Sequence, residues 1–195
     1  MSSKRPSNGT QENAPKKAKT GHWSLGLKAS MEDPELIVEF DEKIVIIKDK
    51  YPKAKHHYLI LPKENVPNLK SLKKEHLPLL KHMKTKADEM VEKFSSNQFQ
   101  IGYHAVPSMS HLHLHVISRD FDSPCLKTKT HWNSFTTEYF INSDDVVNQL
   151  ETQGIVKTMD PAVAKELLKN PLRCHVCKSI LPNIPKLKSH ITKCK

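Results

Sequence analysis

Between residues 111 and 117 the chain reads His111–Leu112–His113–Leu114–His115–Val116–Ile117, imidazole and aliphatic side chains in alternation. A period of two belongs to a strand, which sends successive side chains to opposite faces. The pattern predicts a strand over 111–118, with Leu112, Leu114 and Val116 on a core face. His111, His113 and His115 would share the other face. Three imidazoles on a rigid floor suit two chemistries. One is a metal site. In the other, one ring attacks a phosphorus centre while its neighbours donate to the phosphoryl oxygens.

The flanking segments supply a sheet for that strand. Residues 36–40 and 43–48 are β-rich runs separated by Asp41–Glu42, a hairpin pattern. Asp49–Lys50–Tyr51–Pro52 reads as a turn, and 57–61 as a strand that Pro62 ends. Over 68–94, apolar residues from Leu72 to Phe94 recur at helical spacing, with Pro78 kinking the segment or starting its longer part. Residues 99–105 and 111–118 complete five strands, which with one long helix predict an antiparallel α+β sheet. Residues 126–140 read as mostly loop, and 143–153 and 161–169 as short helices.

Charge and cysteine usage bear on partners. The 195 residues have a formal net charge of +10, which favours a polyanion, nucleic acid first. Residues 1–20 are polar and expected to be disordered. Within them Lys4–Arg5 and Lys16–Lys17–Ala18–Lys19 resemble a two-part nuclear import signal, so a nuclear location is expected. No apolar run is long enough to span a bilayer and no signal-peptide pattern opens the chain. Cys174-x2-Cys177-x12-His190-x3-Cys194 has the spacing of a structural zinc finger. His190 and Cys194 fall on one helical face, so the four ligands can close a tetrahedron. His175 is out of phase. The domains expected are thus the tail over 1–20, a catalytic unit over 21–140, and a helical linker with the finger over 141–195. The finger, remote from the histidines in sequence, is expected to contribute binding rather than chemistry.

The histidine stretch matches the histidine triad pattern, and Asp49-x-x-Pro52 followed by His57-x-Leu59-Ile60-x-Pro62 resembles that superfamily's other signature. With Tyr103–His104, Pro107–Ser108–Met109–Ser110, the segment 131–140 and the finger, the chain resembles the aprataxin family from about residue 20 to the end. It departs in having Cys194 where a final His is common. It is also too short for a phosphopeptide-binding FHA domain, so phosphoprotein partners of that kind are not expected.

The resemblance implies a histidine-triad sheet and a DNA-repair hydrolase. Its partner would be DNA with 5′-adenylated ends at nicks and breaks, RNA–DNA junctions included; abortive ligation leaves such AMP on the 5′ phosphate. It implies His113 as the nucleophile that forms a covalent histidine–AMP. His115 and Ser108–Met109 would donate to the phosphoryl oxygens, with His104 as general acid. It places Asp49 at the ribose hydroxyls within Asp49–Lys50–Tyr51–Pro52–Lys53, and Lys53 as a substrate clamp. His22 and Trp23 would stack at the DNA end, with Leu27 and Ser30 near the adenylate and DNA. His111 and His57 would orient the site, and Trp132 would buttress the triad strand. A structural zinc and no catalytic metal are implied. Two alternatives stay open: another histidine-triad nucleotide hydrolase or phosphoramidase, and a non-catalytic DNA-end binder.

Overall fold

A computed structural model describes residues 26–94 and 98–194. The basic clusters of the tail, with His22 and Trp23, lie outside them. The elements are α1 (Gly26–Met31), β1 (Ile37–Phe40), β2 (Ile44–Lys48), β3 (His57–Pro62), α2 (Leu77–Glu92), β4 (Phe99–His104), β5 (Leu114–Ser118), α3 (Lys129–Thr136), β6 (Phe140–Asn142), α4 (Ser143–Gln153), α5 (Pro161–Lys169) and α6 (Ile184–Ile191). The strands form one antiparallel sheet in the order β1-β2-β3-β5-β4-β6. The fold is the expected α+β class. No helix among the described residues is long and apolar enough to cross a membrane.

Strand β2 shows why the sheet sits between two layers. Its β-branched run buries Ile44 and Ile46 against α2, and Val45 and Ile47 against Leu27 of α1. The β1–β2 turn is set by Asp41, whose carboxylate accepts the amides of Lys43 and Ile44. Helix α2 buries Leu79, Leu80, Met83, Ala87 and Met90 at intervals of one, three or four residues. Pro78 lies in its first turn, where a missing N–H costs nothing, so it begins the helix and does not kink it. Before it, 69–71 and 74–76 form single 3-10 turns. Helix α4 adds Val146 and Leu150 to the same core.

Three features depart from the expected pattern. Strand β5 begins at Leu114 and not at residue 111, because His111 has a φ of 82°, in the left-handed region. That turn sends the amides of His111 and Leu112 to the carbonyls of Pro67 and Val66, at 3.0 and 2.7 Å. The segment expected to be loop contains α3, capped by the Thr128 hydroxyl, which accepts the amide of His131. A sixth strand, β6, pairs with β4. Gly102 admits it: a Cβ there would lie 2.2 Å from the Ile141 carbonyl oxygen and 2.7 Å from the Phe140 ring.

Candidate active site

The left-handed turn at His111 builds the first part of the site. The His111 carbonyl accepts a hydrogen bond from His113 Nδ1 at 2.8 Å. A neutral imidazole has one N–H, so this bond puts the proton on Nδ1 and leaves a lone pair on Nε2. The His111 ring itself donates from Nε2 to the Pro62 carbonyl, at 2.7 Å. His111 is therefore not a third member of an open histidine face. It is a buried strut whose backbone orients His113.

The other rings crowd around His115. Their centroids lie 4.4 Å away for His104, 5.0 Å for His113 and 5.2 Å for His57. Phe135 of α3 sets its ring against His57, His104 and His115. Reading its segment as loop hid that contact; the Thr128 cap three residues before His131 was the signal that could have found the helix. Crowding removes water, and burial pushes His57 down to about 4. Burial pushes His104 and His115 well below the usual histidine value, with the neighbouring rings and Lys53 adding repulsion. His113 is also lowered by burial, opposed by its bond to the His111 carbonyl and by Asp49. The site is thus a set of neutral imidazoles. A lowered pKa keeps the neutral form of His113 populated as pH falls through histidine's ordinary 6.5. For a His113 nucleophile the acid limb of kcat/KM is expected below that pH, and a midpoint at or above it would remove that role.

Two cavities flank the histidines. One, of about 150 Å³, is lined by Leu27 and Ser30 of α1, Ile47 and Leu59 of the sheet, Asp49–Lys50–Tyr51 and Met109. Asp49 is fixed there by the Tyr51 amide at 2.7 Å, with its second oxygen 3.5 Å from His57 Nδ1. The other, about 10 Å³, lies between His113, His104, Pro107 and Asn68. Ser108 is exposed between Pro107 and Met109, which line one cavity each. Lys53 is half-buried; its Nζ donates to the Tyr51 carbonyl, and burial lowers its pKa against the pull of Asp49. Pro52 accepts from Ser123 through its carbonyl. Asp49, His57 and His115 have ligand-type atoms within 4.8 Å of one another, and both ring nitrogens of His57 are already in hydrogen bonds.

At the other end, Cys174, Cys177, His190 and Cys194 converge with donor atoms within 4.8 Å of one another. Cys174 Sγ and Cys194 Sγ are 3.8 Å apart. Zinc–sulfur bonds of about 2.3 Å at tetrahedral angles give an edge of about that length. The four side chains form a structural zinc site, with no position left for substrate. His175 is not a ligand; its ring packs edge-on against Phe121 and Trp132. Packing also corrects the expectation of a remote finger. Leu172 and Leu187 share one apolar cluster with Ala54, Phe121, Trp132 and Phe135, and Trp132 Nε1 donates to the Arg173 carbonyl at 2.9 Å. Trp132 thus buttresses the finger as well as Ile117 of the triad strand. Along this junction runs a groove, with cavities of about 250 and 280 Å³, whose charged side chains are Arg119, Arg173 and Lys178.

Residues 22–131 match the family described as scavenger mRNA decapping enzyme C-terminal binding, and residues 136–194 match the C2HE / C2H2 / C2HC zinc-binding finger. The chain is 57% identical to aprataxin of Danio rerio over 179 residues, covering 90% of this chain and 55% of that protein. It is 31% identical to an aprataxin-like protein of Saccharomyces cerevisiae over 209 residues, 87% of this chain and 94% of that one. The chain spans about half the length of the vertebrate aprataxins it matches. A crystal structure of an aprataxin ortholog in complex with DNA has the same fold, with a TM-score of 0.61, 24% identity, and coverage of 86% of this chain and 92% of that one.

Proposed function

Since the chain belongs to the aprataxin family, we propose that it removes AMP from 5′-adenylated DNA ends through a covalent histidine–AMP. The observation that supports this best is the His113 ring. Its proton is pinned on Nδ1, its Nε2 accepts no hydrogen bond from the described residues, and a cavity of about 150 Å³ lined by the Asp49 carboxylate lies on the side of the site where Asp49 approaches His57. The adenosine sits in the cavity of Leu27, Ser30 and Met109, with Asp49 accepting from the ribose hydroxyls. Nε2 of His113 attacks the α-phosphorus, a P–N bond forms, and the bond to the DNA 5′ phosphate breaks. Water then cleaves the P–N bond and AMP leaves. Splitting the reaction in two replaces one hard displacement with two easier ones. His115 and the Ser108–Met109 segment donate to the phosphoryl oxygens as charge develops. Lys53 contributes a phosphate contact, and Trp23 with His22 stacks at the DNA end.

The basic groove of Arg119, Arg173 and Lys178 suits a phosphodiester backbone. DNA nicks, breaks and RNA–DNA junctions are the substrates of this reading, and the nucleus is where they lie. The catalytic unit, expected over 21–140, takes in β6 and α4 as well, since β6 pairs with β4 and Val146 and Leu150 join the sheet's core; the linker and finger follow. Incubation with a 5′-adenylated nicked duplex tests the proposal. AMP should be released, a repaired 5′ phosphate should remain, and label from the adenylate should be trapped on the protein. No release would overturn it.

His104 is neutral in the free site, and the negative charge of a bound phosphoanhydride raises its proton affinity. It then protonates the departing phosphate. His104→Ala should slow substrates in proportion to how poor their leaving group is, by roughly 100-fold for the poorest. Equal slowing of good and poor leaving groups would remove the general-acid role.

A further inference from the structure

We infer that Ser123, outside the histidine cluster, is a positioning residue that sets the tautomers of His57 and His115 through the peptide joining Pro52 to Lys53. Ser123 is buried, at 3% exposure, and its hydroxyl donates to the Pro52 carbonyl at 2.6 Å. The amide of that same peptide unit, on Lys53, donates to His57 Nδ1 at 3.1 Å. One peptide plane is therefore held at both ends. A ring nitrogen that accepts carries no proton, so neutral His57 has its proton on Nε2. That nitrogen lies 3.0 Å from His115 Nδ1 and donates to it. His115 in turn is left with its N–H on Nε2, which is buried and has no partner among the described residues. The unmatched donor lies in the ring cluster beside His113 and His104, and in the proposed reaction it serves a phosphoryl oxygen.

The opposite arrangement has a stabilising partner. Asp49 Oδ2 is 3.5 Å from His57 Nδ1 and would accept a proton placed there. His57 Nε2 would then present a lone pair to His115 Nδ1. The His115 proton would move to Nδ1, and its Nε2 would turn a lone pair toward the substrate's oxygens. Among the described residues the Lys53 amide opposes this register, provided the peptide plane keeps its angle. Ser123 keeps that angle. The carboxylate that serves the ribose would otherwise bias the site to the wrong tautomer.

This inference rests on the proposed reaction for its catalytic consequence, but the tautomers are measured without turnover. In the wild-type, zinc-loaded protein, nitrogen-15 spectra at neutral pH should show Nε2 protonated and Nδ1 bare on both His57 and His115. Protonated Nδ1 on either ring would overturn the inference, whatever the activity. Ser123→Ala should bring in the second tautomer on both rings. It should also lower kcat by roughly five- to tenfold with little change in KM, the scale of one lost hydrogen bond. Ser123→Thr keeps the hydroxyl and should restore both readings. Unchanged tautomers in a folded Ser123→Ala protein would show that Ser123 only packs.

Discussion

His113→Ala is expected to abolish AMP release, by about 10⁴-fold or more, while DNA binding stays close to that of the unaltered protein. The size follows from the chemistry. Two neighbouring rings are already committed: His57 donates to His115, and His111 donates to the Pro62 carbonyl. In the proposed reaction His115 donates to the phosphoryl oxygens and His104 protonates the leaving phosphate, so His113 alone is assigned the attacking lone pair. Water would have to attack directly, against a phosphoanhydride whose charge repels it, and only the remaining donors would assist. The fold should tolerate the change. Among the described residues the only hydrogen bond of the His113 ring is to the His111 carbonyl, and the apolar core lies on the other face of β5, under Leu114 and Val116. Binding should survive because the groove of Arg119, Arg173 and Lys178 lies away from the nucleophile. The measurement is single-turnover AMP release beside a binding titration at fixed salt. Residual turnover within tenfold of wild type would remove the covalent step.

The sequence made one face of β5 legible and misled on the other. Leu112, Leu114 and Val116 enter the core as the alternation requires, because apolar burial is periodic and local. His111 breaks the alternation on its own side. Its left-handed backbone depends on the carbonyls of Val66 and Pro67, which no local pattern at 111 encodes. The zinc ligands were legible for the same local reason: a knuckle and a helical turn fix their spacing. Ser123 was not. Its role depends on Pro52, which is 71 positions away in the chain. Phe135 was hidden by a segment with few apolar residues at helical spacing, in which α3 is held by its Thr128 cap and by packing beneath Trp132. Asp49 and Lys53 were found by resemblance, but their hold on His57, one through charge and one through a backbone amide, needed coordinates.

Cys177→Ser should cost activity on adenylated DNA and on a small adenylate alike, and this separates the packed finger from a detachable one. Metal binding supplies the folding free energy of so small a unit, about 10–16 kcal/mol in isolated fingers. Losing one thiolate should release the zinc and loosen 172–194. In a detached finger the damage would end there, and only DNA affinity would fall. Here Leu172 and Leu187 pack in one cluster with Ala54, Phe121, Trp132 and Phe135. Ala54 follows the lysine whose amide sets His57, and Phe135 lies against three catalytic-site imidazoles. Lys188 of α6 also donates to the Ser123 carbonyl at 2.5 Å, and Ser123 holds the Pro52–Lys53 peptide. Freeing the finger therefore removes the support of the peptide and of the aromatic wall together. A displacement of about 1 Å at the reacting atoms costs about 100-fold, so a loss of roughly ten- to a hundredfold is expected even on the small substrate. On adenylated DNA the loss should be larger and should steepen with salt, because phosphate contacts near Lys178 are lost as well. Zinc content, melting temperature and the two rates measured on one preparation decide it. Unchanged turnover of the small adenylate in a zinc-free protein would reduce the finger to a DNA clamp.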